Sequence, residues 1–424
     1  MVEQAVIVLD RGQAPRRVLL GLTLLERVVL ALGHGGIRRL LILGAEAGAA
    51  QPDRLRANKE LQRSGLELSW AAAGGRDAAL PLPQAPFLLV RASVVFASGL
   101  AGWLHQLQPE GPTLLVRAGD EDRCFRGLAV CPAVFFPRLC DSLTDPSGEN
   151  GLATLFHPDE GAVLAVPPEL GWVVADAPPA VAEARALLRR SLGKPSDGFF
   201  SRHLNRRISW PISRLLIRLR VRPTQVTVAN LALGLLSGWL IGRGGYGNTL
   251  AAGLLFQFVS IFDGCDGEIA RLTFRFSALG ARLDNLCDFI TLLVFYINLP
   301  VGLYAVSADP SHLALGAVTM LAVALFYLLL LARIRLSGHR GNIAEVARQV
   351  QDKGKTGKPL HWLEHLGVRL GFIYRKEFIS LYAMVWCLLG RAEVFLWTTV
   401  ILTSMGLVYQ VYSILQLAGG KRNS

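Results

Sequence analysis

A chain of 424 residues is long enough for two domains, and its two halves differ in composition. Its six cysteines are scattered without a CxxC pair, so neither a zinc site nor a disulfide framework is suggested and they read as small core residues. The net charge of +12 raises the question of nucleic acid, but the basic residues concentrate beside long apolar stretches, so no nucleic-acid partner is expected.

In chain order, residues 1–195 alternate short apolar runs with polar and Gly/Pro punctuation, as a soluble α/β domain does. Residues 1–9 carry Glu3 and lack a basic start, a long apolar centre and a small-residue cleavage site. No signal peptide is expected, and this domain should stay in the cytoplasm. The pattern predicts a strand over 5–9, a loop over 10–17, a helix over 20–32 and a strand over 40–43, with Gly33, Gly35 and Gly36 at the turn. Apolar runs at 87–90, 113–116, 128–130 and 163–166 predict further strands of a mixed sheet, closed by a helix over 181–192. The stretch from Gly193 to Gly198 reads as a linker.

Residues 199–221 suit an amphipathic helix, with Leu204, Ile208, Ile212, Leu215, Leu216 and Leu219 at helical spacing. Such a segment lies along a membrane surface, and Pro211 is expected to kink or split it. Between Ser201 and Arg222 stand seven arginines and no acid, and the loop from Ser337 to Lys376 is also basic. Basic flanks on one side mark the cytoplasmic face of an inner or cell membrane. The predicted spans are 224–242, 249–272, 279–302, 312–333, 373–391 and 393–417, which makes six crossings of about 20 residues each. The expected fold is an α/β cytoplasmic domain over 1–195, a linker and interfacial helix over 196–222, and an all-α six-helix transmembrane domain over 223–420.

The second span is unusual because its last third is charged. Asp263, Asp266, Gly267, Ala270 and Arg271 stand at offsets 0, 3, 4, 7 and 8, which is one helical face. In the next helix Gly280, Asp284 and Asp288 recur every four residues, again on one face. Two helices thus present four carboxylates, with small residues where a ligand must approach. Carboxylates near a membrane are costly unless they face a polar cavity or bind cations. Four that converge repel one another unless divalent metal neutralises them. A pair of metals held this way clamps a diphosphate and stabilises charge on a leaving phosphate oxygen.

The pattern D-x2-D-G-x2-A-R-x8-G-x3-D-x3-D is the signature of the CDP-alcohol phosphotransferase (CDP-alcohol phosphatidyltransferase) family, and every fixed position matches. The resemblance implies that Asp263, Asp266 and Asp284 hold a two-metal site of Mg²⁺ or Mn²⁺ together with Asp288. It implies that Asp288 is the base that deprotonates the attacking alcohol. Asp263, Asp266, Gly267, Ala270, Arg271 and Gly280 would then hold the nucleotide. Arg222 to Thr227 is similar to this family's usual opening of the first span, which places Thr227 near the nucleotide. Arg333 and Arg335 end the fourth predicted span, and Arg375 and Lys376 open the fifth. All four are candidates for a phosphate on the acceptor. Membrane lipids and a homodimer are the further partners that the resemblance implies.

The linker residues Asp197, Gly198, Arg202, Asn205, Arg206 and Ser209 resemble those of fused inositol-1-phosphate cytidylyltransferase and di-myo-inositol phosphate phosphate synthases. The first domain is similar to their nucleotidyltransferase half, a Rossmann-type fold, through residues 24–28, Trp172 and residues 176–178. Its active positions depart from that pattern. A glycine-rich phosphate loop is expected after the first strand, but residues 9–17 hold one glycine and no matching lysine. The metal-binding Asp expected after the strand at 87–90 is replaced at Ala92 or Ser93. The domain therefore reads as catalytically degenerate, with Arg11, Arg16 and Arg17 left as possible phosphate contacts. Three functions stay open: transfer from CDP-diacylglycerol in phospholipid synthesis, transfer from CDP-inositol, and a non-catalytic membrane scaffold.

Overall fold

The computed structural model describes residues 1–9, 16–44, 55, 57–72, 83–108, 111–117, 125–144, 162–193, 201–336 and 375–420. Most of the loop over 10–17, the linker residues 194–200 and the basic loop 337–374 lie outside them. The chain divides into two units. The first holds Met1–Pro195 with Arg214–Arg220 and Glu268–Phe276, and the second holds the remainder.

The first unit is built on β1 (Gln4–Val8), β4 (Arg39–Gly44), β5 (Glu67–Ala72), β6 (Phe87–Arg91), β8 (Thr113–Arg117), β9 (Leu128–Cys131) and β10 (Ala162–Val166). These form one sheet in the order β10-β8-β9-β6-β1-β4-β5. β1 runs parallel to both β4 and β6, whereas β9 runs antiparallel to β6 and β8. Alternate side chains of β1 enter two different cores. Ala5 and Ile7 join Val28, Leu32 and Leu100 on one face, and Val6 and Val8 join Phe87, Leu89 and Phe136 on the other. A strand buried on both faces reads as an unbroken apolar run, which is why these strands were visible in the sequence.

α1 (Leu24–His34) starts later than residue 20. Residues 18–23 are instead the hairpin of β2 (Val18–Leu19) and β3 (Leu22–Thr23), turned at Gly21, whose φ is +83°. Thr23 then caps the helix, its hydroxyl accepting from the Glu26 amide at 3.2 Å while Glu26 accepts from the Thr23 amide at 2.8 Å. That reciprocal pair satisfies two amides and fixes the start. Other elements are α2 (Lys59–Ser64), β7 (Val94–Phe96), α3 (Leu100–His105), α4 (Phe136–Thr144), β11 (Trp172–Val174) and α5 (Pro178–Ser191).

α6 (Arg206–Arg218) is one helix that carries Pro211 inside it, so the proline does not split it. Its Ser209, Trp210 and Ser213 are buried, while Leu204, Ile208, Leu215 and Leu219 are 38–64% exposed along one side.

The second unit is helical: α7 (Pro223–Arg243), α8 (Tyr246–Thr273), α9 (Ala278–Ser307), α10 (Ser311–Leu336), α11 (Lys376–Leu388) and α12 (Ala392–Gly420). Among the described residues five helices are long and apolar enough to cross a membrane, all but α11. α11 has 13 described residues, about 20 Å of helix against a hydrocarbon core of about 30 Å, and residues 337–374 before it lie outside the described residues. α7 packs on α9 through glycine. A Cβ at Gly234 would lie 2.4 Å from Thr291 Oγ1, one at Gly238 2.4 Å from Val294 Cγ1, and one at Gly302 1.9 Å from the Ile241 carbonyl oxygen. Backbones this close need small residues, and four-residue spacing keeps them on one stripe. Deeper in, Phe256 stacks on Phe295 at 4.1 Å, and Phe395 meets Phe295 edge-on at 6.2 Å.

Candidate active site

The site lies in the second unit, where α7, α8, α9 and α11 each supply polar side chains. α8 is apolar for most of its length and runs on without a proline through Asp263 and Asp266. Cys265, between the two acids, is fully buried and its thiol donates to the Ser209 carbonyl at 3.7 Å. α9 begins at Ser277, whose hydroxyl accepts from the Gly280 amide at 3.2 Å. This cap sets Asp284 and Asp288 on the second and third turns.

Oxygen atoms of Asp263, Asp284 and Asp288 all come within 4.8 Å of one another, and all three side chains are half-buried. Asp266 is held beside them by α7: Thr227 donates its hydroxyl to Asp266 Oδ2 at 2.8 Å. The Gly267 amide also donates to Asp266 Oδ1. Asn230, one turn beyond Thr227, donates Nδ2 to Asp263 Oδ1 at 3.3 Å. Sequence reasoning missed Asn230, although a polar residue at i+3 from Thr227 in an apolar span was the available signal. α7 itself begins at Pro223, with the Gln225 side chain accepting from the Arg222 amide at 2.9 Å.

Of the four basic candidates for the acceptor, the structure brings one to the carboxylates. Lys376, the first residue of α11, lies 3.1 Å from Asp263 Oδ1 and also pairs with Asp288. Arg375 is half-buried beside it at the start of the same helix. Arg333 donates to Gln410 Oε1 at 3.4 Å and sits over the Tyr409 ring at 5.4 Å, so its contacts are with α12. The Arg335 side chain falls outside the described residues. Ala270 and Arg271 continue α8, and Gly280 is in the first turn of α9.

The donor set is entirely carboxylate oxygen, and a cation, the Lys376 ammonium, is already seated on two members. Those features fit a hard divalent ion such as Mg²⁺ or Mn²⁺. In the first unit the turn after β6 holds Ala92 and Ser93, both fully buried. A cavity of about 280 Å³ in the first unit is lined by Arg91, Arg117, Arg126, Trp172 and Asp176.

Residues 220–405 match the CDP-alcohol phosphatidyltransferase family. The bifunctional IPC transferase and DIPP synthase of Thermococcus kodakarensis is 42% identical over 144 residues, which cover 31% of this chain and 31% of that protein. The phosphatidylinositol phosphate synthase of Corynebacterium glutamicum is 35% identical over 81 residues, covering 19% of this chain and 36% of that protein. Across four bifunctional relatives the match spans 23–32% of their lengths. Among solved structures, the inositol-1-phosphate CTP transferase from T. maritima aligns with a TM-score of 0.33 at 12% identity, covering 45% of this chain and 96% of that one.

Proposed function

We propose, from the premise that residues 220–405 are a CDP-alcohol phosphatidyltransferase domain, that the chain is a membrane phosphotransferase that moves a substituted phosphate from a CDP-linked donor to an alcohol. The observation that carries this reading is the convergence of Asp263, Asp284 and Asp288 within 4.8 Å, with Asp266 oriented alongside by Thr227. These four carboxylates would hold a two-metal site of Mg²⁺ or Mn²⁺. When bound, such ions offset the diphosphate charge and stabilise the leaving phosphate oxygen.

The protein's own groups do the rest. Asp288 accepts the proton of the acceptor hydroxyl as its oxygen attacks the phosphorus distal to cytidine. The bond from that phosphorus to the CMP oxygen breaks, and a phosphodiester forms. Thr227 and Asn230 keep Asp266 and Asp263 from rotating away, which preserves geometry between turnovers. Gly267 and Ala270 leave room for the nucleotide, and Arg271 meets a phosphate. Lys376 and Arg375, at the start of α11, meet an anionic group on the acceptor. The arginine-rich approach to α7 supports a cytoplasmic site, and a homodimer is part of this reading.

Two donors are supported by different observations. The 42% identity to a bifunctional DIPP synthase favours CDP-inositol. The degenerate phosphate loop and the acid-free turn at Ala92 and Ser93 favour CDP-diacylglycerol, because the first unit would not make a CDP-alcohol for its neighbour. The test is CMP release by the purified full chain with Mn²⁺ or Mg²⁺. Both donors are offered with inositol, inositol phosphate and glycerol phosphate. Acceptor-dependent CMP names the pair, and Asp288→Ala abolishes it while the melting curve is retained. Folded, metal-binding protein that is silent with every pair would leave the scaffold reading.

A further inference from the structure

Thr319 returns its buried hydroxyl hydrogen to the backbone one turn earlier, to the Leu315 carbonyl at 2.8 Å. The face between α8 and α11 behaves differently. Gln257 and Ser380 are both at least 95% buried, and the Ser380 hydroxyl donates across to Gln257 Oε1 at 2.8 Å, closer than its own helix's Glu377 carbonyl at 3.3 Å. Gln257 Nε2 is buried without a hydrogen-bond partner. A carboxamide in an apolar interior with half its capacity unused opposes folding; an apolar side chain of similar size would suit the same space better. Its value must lie in geometry.

Two contacts define how α11 sits on α8. Near its C-terminal end, Gly253 admits Cys387 so closely that a Cβ at 253 would lie 2.6 Å from the Cys387 Cβ and 3.3 Å from the Met384 Cα. This contact sets the spacing, but a patch of glycine against a small side chain leaves rotation about the helix axis poorly defined. The Gln257–Ser380 hydrogen bond is directional and fixes that rotation. Ser380 is one turn after Lys376, on the same side of α11. We infer that Gln257 is a positioning residue: through Ser380 it sets the rotation of α11 and so holds the Lys376 ammonium on Asp263 and Asp288. This inference rests on the proposed transferase site only for its catalytic consequence; the placement of Lys376 can be read without turnover.

The test pairs Gln257→Met and Ser380→Ala in one full-length variant, purified in detergent without added divalent cation. Removing both partners takes away an unsatisfied amide, so the melting temperature is expected to hold or rise. Lys376 acylation by an N-hydroxysuccinimide ester, followed by mass spectrometry, is expected to speed up by about threefold to fivefold as its ion pairs loosen. With Mn²⁺ and an active donor, KM for an anionic acceptor rises, while KM for the CDP donor stays near wild type. Ser260→Ala serves as a control: it removes another buried, unpartnered hydroxyl from α8 and should leave both readouts unchanged. Unchanged Lys376 labelling in a folded double variant overturns the inference. Faster labelling in a protein that releases no CMP from any donor sustains it and counts against the transferase reading instead.

Discussion

Gly234→Ala is the sharpest perturbation that removes none of the proposed site's side chains. The new Cβ would lie 2.4 Å from Thr291 Oγ1 and 2.5 Å from its Cγ2, where ordinary contact begins near 3.4 Å, so α7 and α9 must part by about 1 Å. Thr291 is 2% exposed and β-branched, and it cannot swing aside. Overpacking of this kind costs about 1–3 kcal/mol, offset in part by the ~1 kcal/mol that alanine gains over glycine in a helix. The melting temperature should therefore move little. Activity should move more, because Gly234 is one turn from Asn230 and Thr291 is one turn from Asp288. A displacement of about 1 Å there can lower turnover about a hundredfold. CMP release and thermal unfolding are measured in the same detergent. Adding Thr291→Ala removes the two nearest clashing atoms, leaving its Cβ at 3.0 Å, and should recover much of the lost rate, since neighbouring sites couple rather than add. Wild-type turnover in Gly234→Ala, or no recovery in the double variant, would refute the idea that glycine contact holds the site's geometry.

Three further outcomes are expected. Thr227→Val removes the donor to Asp266 and should cost about 1.5–3 kcal/mol of transition-state stabilisation, read as kcat falling about tenfold or more at unchanged stability. Chelation by EDTA should abolish CMP release, with recovery on adding Mn²⁺ or Mg²⁺; activity that survives exhaustive chelation would remove the metal from the account. Burial pushes the Cys131 thiol up to about 12, so at pH 8 thiolate is about one part in ten thousand. Cys131 should therefore resist maleimide until the first unit unfolds, and rapid labelling of folded protein would count against its burial in β9.

The spans were legible because hydrocarbon sets both their length and their composition. The observed Pro223–Arg243 and Ala392–Gly420 differ from the expected 224–242 and 393–417 by a few residues at most. The aspartates were legible because their spacing confines them to one face of each helix. Asn230 and the contact of Lys376 with Asp263 were not, since both depend on which helices become neighbours, and spacing within one helix carries no such information. The same limit applies to Gly234, Gly238 and Gly242: their four-residue interval stands in the sequence, but that the stripe meets Thr291 and Val294 does not. In the first unit, β7 and β11 have three residues each, too few for a period to emerge, and among the described residues they pair with each other as a separate two-stranded sheet. α11 ends at Leu388, just before a turn at Gly390, where φ is +66°, inside the expected 373–391 span.

α6 and the residues flanking it leave Leu204, Ile208, Leu215 and Leu219 exposed along one side. Water is a poor solvent for that strip, and in it the strip would drive copies of the chain together. Whatever amphiphile surrounds the protein therefore acts as part of its fold. Melting points taken in two detergents will compare two solvents as much as one molecule, and only values measured in a single lipid mixture can rank its variants.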